Sequence, residues 1–266
     1  MKKRFKRIAL LAIFAGAFMC SCTEDEYSVE NGSELGYTYK TTLSPNNNVN
    51  PNDSVGVLHN IHLDSIISIL GENYSDPDAI HQDTLHQVVE NYFLNIYDED
   101  IVEEIFKEES SALNEETSLE LVLKELDFSE DAKEIVFSLF KTVEEMENIG
   151  YEPYYDTICN VERNIISNRS FTATETQILL SFTSVLRHSL YYWYEEPTLA
   201  KSDVDWALIA GADAGGALKG AKTGLRVGSA VGHSAVGAGV GAAVGATYKS
   251  VKMARKLKKI NERIKK

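Results

Sequence analysis

In this 266-residue chain the residues that could do chemistry are chiefly histidines and carboxylates. His59 and His62 lie three apart, one helix face, and Asp64 follows close by. Those are the donor types of a metal site. The HExxH spacing is absent and no Cys–Cys pair offers a structural zinc site, so the plainer expectation is surface or half-buried histidines. His81 and His86, five apart, share no helical face. Glu103, Glu104, Glu108 and Glu109 are of the type that pairs as acid and base, but such a run reads first as a solvated face. Cys159 would be a nucleophile only beside a positioned histidine or cation, and is otherwise a buried thiol. There is no GxSxG elbow, phosphate loop, dinucleotide fingerprint or EF-hand loop. Reactive residue types without a spacing that organises them predict no enzymatic activity, no cofactor and no metal.

The elements that would position these residues begin with a targeting segment. Lys2, Lys3, Arg4, Lys6 and Arg7 precede an apolar run over 8–19, too short to span a bilayer well, which reads as a secretory signal covering 1–21. Ser21 before Cys22 resembles the lipobox of bacterial lipoproteins. The resemblance implies cleavage before Cys22 and acylation of its sulfur and amine by chains such as palmitate. Thr23-Glu24-Asp25-Glu26 resembles the surface-export signal of some Gram-negative lipoproteins, and also the inner-membrane retention signal of other bacteria. The expected location is the cell envelope, lipid-anchored, at the outer membrane and facing outward. Residues 22–56 are acidic and Asn-rich with few large apolar groups, and predict a flexible tether.

Residues 57–196 carry helical periodicity throughout, with no alternating strand pattern. Segments over 57–70, 84–97, 100–107, 118–126, 130–149, 154–167 and 173–195 are expected as helices. Thr117 with Glu120 and Thr172 with Glu175 have the spacing of capping boxes. The fold class is therefore all-α, with a helical-bundle body. Tyr191-Tyr192-Trp193-Tyr194 cannot all face one core, because a helix turns about 100° per residue. They suit either an interfacial belt or packing against the next segment. Pro197 breaks the chain before a second unit.

That unit, 203–248, is expected as a glycine-zipper hairpin. Eleven of the seventeen glycines fall within 211–245. Gly211 and Gly215 begin the series. Gly216, Gly220, Gly224, Gly228 and Gly232 recur every fourth residue, and Gly237, Gly241 and Gly245 resume that spacing after a slip of one. Such rows let helix backbones approach closely, in lipid or out of it. Segments 204–223 and 227–248 could pair within one chain or between chains. The second has twenty-two residues without Asp, Glu, Lys or Arg, but only five valines to favour insertion. In a helix interior, eleven glycines cost on the order of 10 kcal/mol relative to alanine, which only close packing offsets. Asp213 is the one acid inside the first segment, expected near water or beside a basic neighbour. Residues 249–266 predict a basic amphipathic tail in which Lys249, Lys252, Arg255, Lys256, Lys258 and Lys259 meet an anionic membrane surface.

Charge divides in the same way. Residues 23–206 carry nine basic and thirty-eight acidic groups, while 207–266 carry twelve basic and two acidic. The acidic body repels nucleic acid, so none is expected as a partner. Gly56-Val57-Leu58-His59-Asn60 resembles the Gly-x-x-His-Asn opening of a family of uncharacterised Gram-negative surface lipoproteins. In those a helical body precedes a Gly/Ala-rich end with an Ala-Asp-x-x-Gly-Ala element, here Ala212-Asp213-Ala214-Gly215-Gly216-Ala217. The resemblance implies shared architecture and no activity. The expected function is a non-enzymatic envelope lipoprotein. Its zipper packs in or against a membrane and self-associates, and its acidic body meets a protein partner. The alternative is a bacteriocin-like factor that inserts the zipper into a target membrane.

Overall fold

A computed structural model describes residues 44–73, 80–111, 122–124, 126–145, 151–194, 205–230 and 232–256. The signal, Cys22, the acidic run, Thr117 and Glu120, Pro197, Lys258 and Lys259 lie outside the described residues. So do the side chains of Glu108, Glu109, Arg255 and Lys256. The described residues form an all-α bundle without strands. Its helices are α1 (Asp53–Asn73), α2 (Gln82–Leu94), α3 (Glu99–Ser111), α4 (Glu130–Glu145), α5 (Tyr151–Ser167), α6 (Ala173–Tyr194), α7 (Asp205–Ala230) and α8 (Ser234–Lys256).

The glycine rows meet within one chain. A Cβ on Gly216, Gly220, Gly224 or Gly228 would fall under 3.0 Å from the backbone at Gly245, Gly241, Gly237 or His233 respectively. The facing glycines are equally crowded. Helices α7 and α8 are thus an antiparallel hairpin in backbone contact. The slip of one in the glycine spacing is its turn. Three of the expected packing glycines do something else. Gly232 is in the turn with φ +79°, a backbone that only glycine adopts freely. Gly215 has nothing within 4 Å of where a Cβ would stand, and Gly211 meets only the Phe140 ring. Gly215 lies off the seam because it is one residue, about 100°, from Gly216, and Gly211 shares the row of Gly215.

The hairpin is the spine of the bundle rather than an appendage. One core cluster joins Leu139, Ile158, Leu179 and Val185 of α4–α6 to Ala210, Ala214, Ala217 and Leu218 of α7 and Ala242, Ala243 and Ala246 of α8. The other joins Leu63, Val89, Phe93, Val102 and Phe106 of α1–α3 to Ile209 of α7 and Val240, Val244, Tyr248 and Val251 of α8. Small residues on the hairpin's flanks let both layers close on it. The expected boundary between a body over 57–196 and a zipper over 203–248 is therefore crossed by both cores. No described helix is long and apolar enough to cross a membrane.

Helix α8 runs on without a break to Lys256, with Val251 and Ala254 fully buried. The first turns of the expected membrane-surface tail are thus the end of the spine. Lys249 and Lys252 are half-buried there and engaged with other groups of the chain. At the other end, order begins well before residue 57. Residues 44–52 form a strap in which Asn47 and Asn50 are buried. The capping box at α6 forms as its spacing predicts: Thr172 N–H and Oγ1 donate to Glu175 Oε2, and Glu175 N–H donates back to Thr172 Oγ1. Of the aromatic run, Trp193 is buried, and Tyr191 and Tyr194 lie against Tyr151. Packing, not a belt, accounts for three of the four rings. Tyr192 joins the polar seam described next.

Candidate functional site

Helices α1 and α6 run parallel, and a polar ladder joins them once per turn. Asn52 Nδ2, just before α1, donates to Gln177 O (2.9 Å) and Ser181 Oγ (3.0 Å). Four residues on, Gly56 N–H donates to Ser184 Oγ (3.0 Å), and that hydroxyl donates to Asp53 O (2.9 Å). Gly56 N–H lies in the first turn of α1, where amides lack an intrahelical acceptor, so Ser184 caps α1 from a neighbouring helix. Four further on, Asn60 Nδ2 donates to His188 O (3.1 Å), and after four more Tyr192 OH donates to Asp64 Oδ1 (2.6 Å). Gly56 sets the closeness: a Cβ there would stand 2.5 Å from His188 Cδ2 and 2.6 Å from Ser184 O.

Two charged clusters sit behind this ladder. In the first, Arg187 of α6 is wholly buried and its Nη2 donates to Asp53 Oδ1 (2.5 Å) and Glu162 Oε1 (3.2 Å). His188 Nε2 donates to the same Asp53 oxygen at 3.2 Å. Glu162 of α5 also accepts from Asn47 Nδ2 (2.5 Å) and Asn50 Nδ2 (2.6 Å), so the strap closes over it. Asp53 is held below the usual carboxylate range: burial pushes it up, but His188 and Arg187 together more than reverse that. For Arg187 the two carboxylates likewise outweigh burial and keep it charged.

In the second cluster, Asp213 of α7 is fully buried. Its Oδ2 accepts from Ser189 Oγ (2.5 Å) and Ser250 Oγ (2.9 Å) and lies 3.4 Å from His59 Nε2. His59 Nδ1 faces Asn60 Oδ1 at 2.8 Å. An amide oxygen only accepts, so Nδ1 carries the hydrogen and the bare Nε2 faces Asp213. Burial drives both groups towards neutrality. Asp213 is pushed up to about 8, with Ser189, Ser250 and Trp193 opposing. His59 is pushed down to about 3. Near neutral pH the pair therefore holds one proton, on Asp213.

The seam brings together both motifs on which the lipoprotein resemblance rests. Gly56 meets α6, His59 meets Asp213, Asn60 meets His188, and Gly216 meets Gly245. The other candidates separate. His62 leaves His59 and Asp64 to sit between Tyr92 OH (2.9 Å) and Tyr97 OH (2.5 Å), and burial lowers it to about 4. Among the described residues no three His, Cys, Asp or Glu side chains are placed to hold a metal ion. His86 faces Tyr248 OH at 3.0 Å, and Glu104 holds Arg226 at 2.8 Å. Cys159 is a buried free thiol pushed upward by burial, which leaves little thiolate.

Chemically the seam holds charge and protons, with His59, Glu162, Arg187 and Asp213 fully buried. Ser189, Asp213 and His59 are the residue types of a nucleophilic triad in the wrong order. The carboxylate stands between serine and imidazole, so the imidazole cannot take the serine proton. Arg187, Glu162, Ser189 and Ser250 escaped the sequence reading. One signal for Arg187 was available, since Arg187-His188 interrupts an α6 whose residues 178–190 are buried all round. A charge inside such a helix must be paired.

Asp213 gives the fold a falling alkaline limb. Folded, it keeps a proton up to about pH 8; unfolded, it loses it near 3.8. His59, its partner, charges only in the unfolded state below about 6.5 and offsets the effect there. Stability is therefore lost as pH rises from 6.5 to 8, by on the order of 2 kcal/mol. Asp213→Asn should abolish that limb. Urea unfolding at pH 6.5 and 8.0 measures it, and an equal fall in both proteins contradicts the assignment.

Searches against family models, curated proteins and solved structures return no match for this chain.

Proposed function

We propose that this chain is a non-enzymatic envelope lipoprotein whose glycine-zipper hairpin acts in cis, as the spine of an acidic helical body that meets a partner. The reading assigns membrane contact to acyl chains on Cys22, at the outer membrane. Partner contact falls to exposed acidic faces such as Glu99, Asp100 and Glu103 of α3 and Glu130, Asp131 and Glu134 of α4. A surface of that sign favours a basic protein partner and steers its approach. The observation that carries the reading is the hairpin's own packing. Its glycine rows are occupied by each other and its flanks by two layers of helices.

The test is fractionation. Cys22→Ala should move the folded protein from the membrane pellet to the soluble fraction. Unchanged pelleting would transfer membrane contact to the chain itself and count against the reading. A second reading, a membrane-active factor, draws on one observation: the acid buried against the hairpin holds its proton near neutral pH, which lowers the charge carried by a hairpin leaving the bundle. Full-length protein added to dye-loaded anionic vesicles separates the two. Prompt leakage supports the second reading, and binding or no binding without leakage supports the first.

A further inference from the structure

We propose that α1, with the strap 44–52 ahead of it, is an arm that acid detaches from the bundle while the glycine-paired spine stays closed. The inference rests on the spine reading of α7–α8 and adds a regulated movement to it.

The arrangement of imidazoles carries it. Among the described residues, the buried histidines are His59, His62 and His188. Two are on α1, and the third presses on α1 at Gly56 and Asp53. The zipper seam holds no buried histidine among the described residues: glycine backbones meet each other there, with the Lys249 side chain against Gly216. Acid therefore acts on one side of the molecule.

Each imidazole has defined neighbours. His62 is enclosed by Tyr92, Phe93 and Tyr97 of α2 and the turn after it, and among the described residues no carboxylate pairs with it to balance a positive charge. His188 faces Asp53 from α1, but Arg187 beside it competes for that carboxylate, and Glu162 of α5 is committed to Arg187 and the strap. His59 faces Asp213 of α7, with Ser189 of α6 and Ser250 of α8 on the same carboxylate and His62 and His188 nearby. Between about pH 4 and 6.5 the His59–Asp213 pair holds one proton whether closed or open, so it contributes little there. Acid strength in this window acts through His62, which burial lowers to about 4, and through His188, which burial also pushes down against the pull of Asp53.

The sign follows. A histidine depressed in the closed state gains its proton on opening, so each unit below 6.5 favours the open arm about tenfold per imidazole. His62, held near 4, gives about thirtyfold at pH 5.0, and His188 adds to it in the same direction. The spine's buried acid, Asp213, is neutral at that pH and has no charge to expel. Detachment uncovers α8 at Gly239, which Val55 covers in the closed state, and at Thr247, whose hydroxyl faces His59 O.

Hydrogen exchange followed by mass spectrometry on the full chain, at pH 7.5 and 5.0 with chemical exchange rates divided out, tests this. Protection of amides over 55–70 should fall at least about thirtyfold at pH 5.0, while that over 216–248 holds. His62→Gln should shrink the fall by about thirtyfold. Loss of protection over both segments together, or over neither, overturns the proposal and leaves the spine reading standing. A hairpin already unprotected at pH 7.5 overturns both.

Discussion

Gly220→Ala should lower the unfolding free energy by about 2 kcal/mol, whereas Gly215→Ala, five residues earlier on the same helix, should raise it by about 1 kcal/mol. Both changes add one methyl group to a helical glycine and gain the same helix propensity. They differ in what the methyl meets. At Gly220 it would stand under 3.0 Å from the Gly241 carbonyl, which is backbone and cannot rotate away. The helices must separate, and the Gly216–Gly245 and Gly224–Gly237 approaches loosen with them. At Gly215 it meets nothing within 4 Å. Urea denaturation monitored by far-UV circular dichroism measures both. Equal effects at the two positions would mean that the backbones do not touch. Gly224→Leu with Gly228→Leu extends the argument, and should open the hairpin in every chain rather than only separate chains from one another.

Arg187→Met should cost about 3–5 kcal/mol, the range for removing one member of a buried ion network. The side chain is wholly buried, so its stem is matched by methionine and the loss is electrostatic. Among the described residues, Glu162, equally buried, is left with two asparagine amides from the strap, and Asp53 with His188. Adding Glu162→Gln to Arg187→Met should therefore recover part of the loss, since the second change removes the stranded charge. A double mutant less stable than Arg187→Met by the full cost of Glu162→Gln alone would show that the two residues are not coupled. The same variants report on the strap. Loss of Glu162 should release Asn47 and Asn50, and proteolysis ahead of α1 should quicken.

Local signals in the chain were reliable because they depend on neighbours in sequence. The Thr172–Glu175 capping box, the helical period over 130–145 and 173–194, and the glycine spacing each describe atoms within one or two turns. The fold class follows from them. The slip of one residue between Gly232 and Gly237 coincides with the turn between the facing rows. Their occupant was not legible, since side-chain-free faces pack equally well within a chain, between chains or in lipid.

The polar seam was half legible. Gly56, His59, Asn60 and Asp213 stood out as two motifs about 150 residues apart, yet nothing in either names the other. Their meeting depends on α1 lying parallel to α6, in a register set by Ser184 and His188, with α7 crossing behind. The burial of Arg187 and Glu162 depends in turn on a strap whose composition reads as a loose tether. Its asparagines order because their amides find a buried carboxylate, a gain that no hydropathy pattern records. What the linear order of residues determined by itself was which segments coil and which helix faces allow close approach. What three dimensions alone decided was that those faces close on each other inside the body, and that ionisable groups remote along the chain are buried together there. Both come from removing water from backbone and charge at once, which only the assembled layers accomplish.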